Sequence, residues 1–187
     1  VKAECVITKE SEGIYELKNI AVMPNCQRKG YGKRMIDFLL STGIRVGELV
    51  RLNIDDIDFS ERECVVYGKG DKERKAYFDA KTKIHLLNYI ESRTDNNIAL
   101  FVSLNKPHSR LTESGVELRL REMGKKLGVE KVHPHKFRRT MATRAIEKGM
   151  PIEQVQKILG HEQIDTTLRY AMVNQNNVKL SHRKYIS

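Results

Sequence analysis

His135 and Arg138 stand three residues apart in HPHKFRRTMATR, where Pro134 opens what reads as a helix. That spacing puts both on one helix face. Arg144 follows further along the same stretch. A guanidinium offers a rigid fork of donors, so such a face could hold a phosphate. A solvated basic helix face is the plainer account of the pair taken alone. His161 follows Gly160 at the end of the next helical stretch, where a histidine can simply cap the last turn. Tyr170 could be a surface or a core aromatic. Lys69, between two glycines in GKGDKER, fits an exposed turn.

Metal chemistry has candidates but no site. His133, His135 and His161 invite zinc, yet an HxH pair at a helix start aims its two rings poorly at one ion, and no cysteine or carboxylate completes the set. Asp55, Asp56 and Asp58 could hold magnesium. Alternation along a strand would split Asp55 from Asp56, so a solvated strand edge is expected instead. Cys5, Cys26 and Cys64 form no CxxC pair and read as small, partly buried apolar residues. Neither a metal nor any other cofactor is expected.

These residues need elements to position them. ECVITK and YELKNIAV alternate like strands, with SEG as the turn between them. A helix starts near Gly30–Lys33 and runs through MIDFLL to Ser41 or Thr42, with Gly43 as its C-terminal cap. Arg45 to Arg51 is a short helix. RLNIDDIDF reads as a strand, and ECVVYGKGDKERKAYF as a hairpin. Thr82 to Ser92 is helical, with Leu86, Leu87 and Ile90 on one face. SRLTESGVELRLREMGKKLG is a helix ending at Gly128. In the last third, Phe137, Met141 and Ala145 recur at spacing four on a helix closed by Gly149. Pro151 opens the next, with Ile152, Val155, Ile158 and Leu159 on one face and Gly160 closing it. Asp165 then caps a short helix, TTLRYAMV. The fold class expected is mainly α with a small antiparallel β-sheet.

Charge points to a partner. The 187 residues carry a formal net charge of +10. Residues 131–187 hold 11 Lys+Arg against 4 Asp+Glu, while residues 35–130 balance at 16 against 16. A locally basic region suggests a polyanion, nucleic acid ahead of anionic lipid. No apolar tract approaches the roughly 18 residues of a membrane span. No signal peptide is visible, which gives a cytoplasmic expectation.

Together the motifs change the reading. STGIRVGEL, GKGDKER, HPHKFRRTMATR, ILGH and TTLRYAMV stand in an order and at spacings that resemble the tyrosine recombinase (phage integrase) family, from about Met35 to the end. The resemblance implies a catalytic domain over residues 35–187 that breaks and rejoins double-stranded DNA, acting as a homo-oligomer on it. It implies Arg45 and Arg138 as clamps on the phosphate, Tyr170 as nucleophile and His135 as acceptor of the phenol proton. Lys69 would protonate the departing 5′-oxygen, His161 would be a further donor to the phosphate, and Glu48 would orient Arg45. Such chemistry needs charge on two non-bridging oxygens neutralised, and a phenol of ordinary pKa about 10 deprotonated. The 3′-phosphotyrosyl link conserves bond energy for resealing. Tyr185 is the rival nucleophile but lacks the LGH-then-helix context.

Residues 1–34 resemble something else. YELKNIAVMPNCQRKGYGKRM is similar to the acetyl-CoA-binding motif of the GNAT acetyltransferases, with Gln27, Gly30 and Gly32 as a vestigial anion loop at a helix start. Only about 35 residues carry it, so acetyl-CoA binding is not expected, and an acetyltransferase fragment is the remote alternative. Residues 1–34 are thus read as a strand–strand–loop fragment fused to a recombinase domain, an apparent chimera. The family's usual N-terminal DNA-gripping domain has no visible counterpart, so weak, salt-dependent binding and impaired recombination are expected. A catalytically unproductive DNA-binding remnant is the alternative.

Overall fold

The computed structural model describes residues 7–11, 14–17, 31–129, 131–168, 170, 182–183 and 186. Its elements run β1 (Ile7–Ser11), β2 (Ile14–Leu17), α1 (Tyr31–Thr42), α2 (Val46–Arg51), β3 (Ile57–Asp58), β4 (Glu63–Tyr67), β5 (Glu73–Tyr77), α3 (Ala80–Glu91), α4 (Glu113–Lys126), α5 (Pro134–Glu147), α6 (Ile152–Leu159) and α7 (Ile164–Leu168). Strands β3, β4 and β5 form an antiparallel sheet in that order, and β1 pairs with β2 in a separate antiparallel ribbon. The mainly helical class with a small sheet is the one expected.

Helix α1 forms around Met35, Ile36, Phe38 and Leu39, each at most 2% exposed. Burial of one such side chain contributes roughly 1.5–3 kcal/mol. The helix packs on α3, α4, α5 and β5. The Phe38 ring lies 5.9 Å from that of Phe78 and 6.0 Å from that of Phe101, centroid to centroid. A Cβ on Gly32 would fall 2.5 Å from Met123 Sδ. The glycine therefore lets α1 approach α4, and that packing accounts for it without an anion. Gln27 and Gly30, the rest of the anticipated loop, lie outside the described residues.

In the sheet, Cys64, Val66 and Ala76 face the core. Arg74 pairs across from Val66, and so shares that inner face. Burial pushes the Cys64 thiol up to about 12, so it stays protonated as an apolar core residue. Cys5 and Cys26 lie outside the described residues.

A second, smaller core of Ala142, Val155 and Leu159 gathers Met141, Ala145, Ile146, Met150 and Tyr170 around it. Phe137 belongs to the main core. Helix α5 thus spans both cores, with Arg138 at the junction.

Three expectations fail locally. RLNIDDIDF is not one strand: Ile54–Asp56 is a 3-10 turn and only Ile57–Asp58 is extended. Asp56 accepts from the Asn53 amide at 2.7 Å, a side-chain bond that competes with the ladder. Asp55 and Asp56 are exposed there, and Asp58 instead accepts from the Ser60 hydroxyl and amide and from the Glu61 amide. Leu87 is exposed; the buried face of α3 is Thr82, Leu86 and Tyr89. Asp165 lies within the first turn of α7 and does not precede it. There its charge still faces the positive helix end.

Candidate active site

The motif STGIR builds the first arm. Thr42, fully buried, donates its hydroxyl to the Phe38 carbonyl at 2.7 Å. Gly43 turns the chain at φ 62°, a conformation a glycine reaches without a steric cost. Arg45 follows in extended conformation as N-cap of α2. Glu48 then accepts from the Arg45 amide at 2.7 Å and, through its other oxygen, from Arg45 Nη1 at 2.9 Å.

The motif LGH builds the second arm. Gly160 closes α6 at φ 61°, ψ 47°. The Gly160 amide donates to the Lys157 carbonyl and the His161 amide to that of Gln156, each at 3.1 Å, the paired bonds of a Schellman closure. The neighbouring carbonyls of Leu159 and Gly160 receive the two arginines. Arg138 Nη2 donates to Leu159, and its Nη1 to Gly43. Arg45 Nη2 donates to Gly160 at 3.0 Å. Residues 45 and 138 are distant in sequence and converge on one two-residue turn.

A third arginine joins them. Arg74 Nη2 donates to Glu48 Oε2 at 2.6 Å and Nη1 to the Ile158 carbonyl at 2.7 Å. A Cβ on Gly160 would fall 2.7 Å from Arg74 Cδ. Arg74 ends the motif GKGDKER, in which only Lys69 stood out by type and spacing. The signal for Arg74 lay in the alternation of ERKAY: Glu73, Lys75 and Tyr77 point outward, while Arg74 falls on the side of buried Ala76. A cation at an inward position needs a partner.

Two guanidiniums, Arg45 and Arg74, bond one carboxylate, with Arg138 close enough to feel all three charges, and the electrostatics follow. Burial first, then Arg45 and Arg74, bring Arg138 down to about 10. Burial first, then Arg138, Arg45 and Arg74, bring His161 down to about 4. Its imidazole is therefore neutral at pH 7. His161 Nδ1 lies 2.9 Å from Thr167 Oγ1, and its ring centroid 6.0 Å from that of Tyr170. An anion placed among these cations would relieve their mutual repulsion.

Of the anticipated residues, Arg45, Glu48, Arg138, His161 and Tyr170 come together. His135 is exposed in the first turn of α5, whereas Arg138, one turn on, is buried; the face they share runs from rim to interior. Lys69 lies in the 3-10 turn Lys69–Asp71 between β4 and β5, and its side chain is outside the described part. The adjoining Gly68 is close to the cluster: a Cβ there would be 3.7 Å from Glu48 Oε1 and 3.8 Å from Arg45 Nη1. Tyr185 lies outside the described residues. Among the described residues no group of three metal-ligating side chains assembles, and no helix is long and apolar enough to cross a membrane.

The depressed His161 value has a testable sign. Between pH 6.5 and 4 the unfolded chain takes up a proton on this ring that the native state refuses. Stability therefore falls as pH drops through that window. We expect the melting temperature of wild type to decline more steeply from pH 6.5 to 4 than that of His161→Gln. Parallel curves in thermal unfolding would contradict this.

The model of the phage integrase family matches residues 15–177. Tyrosine recombinase XerC of Leptospira interrogans is 35% identical over 185 residues, which is 98% of this chain and 56% of that protein. XerC of Staphylococcus aureus is 37% identical over 150 residues, 78% of this chain and 50% of that protein. The chain thus spans about half the length of these curated relatives. The crystal structure of XerA recombinase superposes with TM-score 0.68 at 31% identity, covering 85% of this chain and 64% of that one. The Tn1549 transposon integrase, in complex with transposon right end DNA, shares the fold with TM-score 0.71 at 20% identity, over 90% of this chain and 66% of that one. The family match begins ahead of Met35 and takes in part of the stretch read as acetyltransferase-like, and these matches give that reading no support. By the length of that match, and by relatives aligned across most of its residues, the chain belongs to the phage integrase family of tyrosine recombinases.

Proposed function

We propose that residues 35–187 are the catalytic domain of a site-specific DNA recombinase that cuts and reseals double-stranded DNA. Tyr170 attacks a phosphodiester, forms a 3′-phosphotyrosyl link and releases a 5′-hydroxyl. Attack by a 5′-hydroxyl reverses the step and restores the phosphodiester, so no outside energy source is consumed. Arg45 and Arg138 neutralise the non-bridging oxygens, and His161 adds a neutral donor. His135 takes the phenol proton, and Lys69 returns one to the leaving 5′-oxygen. Glu48 holds Arg45 in place. The partner is duplex DNA, on which copies of the chain assemble.

One observation carries this reading. Arg45 and Arg138 meet on the adjacent carbonyls of Gly160 and Leu159, with His161 next in the chain and the Tyr170 ring 6.0 Å from that imidazole. The basic last third and the DNA complexes solved for neighbouring folds support the choice of partner.

The test is a covalent adduct. A nicked duplex is incubated with the protein and resolved on a denaturing gel. Wild type and Tyr185→Phe are expected to form the adduct, and Tyr170→Phe to form none, a loss on the order of a thousandfold or more. An adduct that persists in Tyr170→Phe sinks the assignment. DNA binding by wild type with no adduct would mark the chain as an unproductive DNA-binding remnant.

A further inference from the structure

Thr167 lies in α7, fully buried, with Oγ1 2.9 Å from His161 Nδ1. A hydroxyl has one hydrogen to give and lone pairs to receive. A helical threonine often spends that hydrogen on the carbonyl four residues back. Thr167 does not: among the described residues His161 Nδ1 is its side chain's hydrogen-bond partner. Two arrangements are then possible. If Nδ1 carries the imidazole proton, it donates to Oγ1 and strands the hydroxyl hydrogen in a dry place. If Nδ1 is bare, the hydroxyl donates to it and both groups are satisfied. An unmet buried donor biases the balance on the order of tenfold or more.

We propose that Thr167 sets the tautomer of His161, keeping Nδ1 bare and the proton on Nε2, where it can be donated to an anion held by Arg45 and Arg138. Because the ring is neutral at pH 7, it donates only from the nitrogen that holds its single proton. With Nδ1 committed to Thr167, only Nε2 can serve a phosphate. Thr167 is therefore a positioning residue. Its helix is short, and its hydroxyl acts through the imidazole without touching the reacting atoms. The catalytic part of this inference rests on the reading of His161 as a phosphate donor; the tautomer itself does not.

The experiment is long-range proton–nitrogen NMR on the ring nitrogens at pH 7, with the His161 signals identified by their loss in His161→Gln. Wild type is expected to show a bare Nδ1 and a protonated Nε2. Thr167→Val, nearly the same shape without the hydroxyl, should lose that preference and form the covalent adduct at least about tenfold more slowly. Thr167→Ser should restore both. A wild-type spectrum with the proton on Nδ1 overturns the proposal even if Thr167→Val fails to fold. So does a folded Thr167→Val that keeps both tautomer and rate. If wild type forms no adduct at all, the reading of the site fails, while the spectrum still decides the tautomer.

Discussion

With methionine in place of Arg138, formation of the covalent adduct is expected to fall by about a thousandfold or more, while the melting temperature moves by only a few degrees. The two halves of this result have separate causes. In the reaction, Arg138 is a guanidinium already aimed at the Leu159–Gly160 turn, beside Arg45, and no neighbour replaces it. In the folded state its charge is a burden. Its folded value of about 10 lies below the ordinary guanidinium range, chiefly through burial and then through Arg45 and Arg74. At pH 7, below both values, the proton is carried in both states, so burying it costs on the order of 3–4 kcal/mol. That cost is relieved only as pH climbs past about 10. Against it stand the hydrogen bonds to Gly43 and Leu159, whose carbonyls would each lose about 1–3 kcal/mol when stranded. The terms nearly cancel. Adduct kinetics and thermal unfolding on the same samples check both halves. A normal rate, or a collapse of the fold by well over ~10 °C, would show that Arg138 is structural.

The same cluster shows what a sequence can and cannot disclose. Helices α5 and α6 were readable because their ends are written in Pro134, Gly149, Pro151 and Gly160 and their faces in residues spaced three and four apart. STGIR and LGH were readable as a pair of motifs, and each proves to be a glycine turn that presents carbonyls or an N-cap arginine. The alternation of ERKAY turns Arg74 inward but names no partner, because Glu48 and Ile158 are brought to it by how β5 packs on α2 and α6. Thr167 was overlooked for the same reason: its meaning lies in an imidazole six positions away, across a turn. The failures on secondary structure are local. Asp56 bonds the Asn53 amide and makes a turn of a stretch whose alternation suggests a strand. Gly32 looked like part of a phosphate loop because a packing glycine and a loop glycine are the same letter; only Met123, pressed against it, tells them apart.

Glu48→Gln is the second large effect expected, and here stability and activity fall together. The Glu48 side chain is 2% exposed and holds Arg45 at 2.9 Å and Arg74 at 2.6 Å. It also caps the first turn of α2 by accepting from the Arg45 amide. Glutamine keeps the size but removes the only carboxylate bonded to these arginines among the described residues, and turns one acceptor into a donor that faces other donors. Breaking a buried pair from one side costs about 3–5 kcal/mol, because the remaining charge stays buried. For a chain of this length that is a fall of roughly 10 °C in melting temperature. The freed Arg45 also loses its aim, and a misplacement of about 1 Å in a clamp costs on the order of a hundredfold in rate. Two further measurements separate this cause from general damage. Sulfate can stand in for the missing negative charge, so it should raise the melting temperature of Glu48→Gln more than that of wild type. Adding Arg74→Gln to Glu48→Gln removes one stranded cation, so the double variant should recover part of the stability lost by the single one. A Glu48→Gln protein that melts within a degree or two of wild type, with the same response to sulfate, would mean that Arg45 and Arg74 do not depend on this carboxylate.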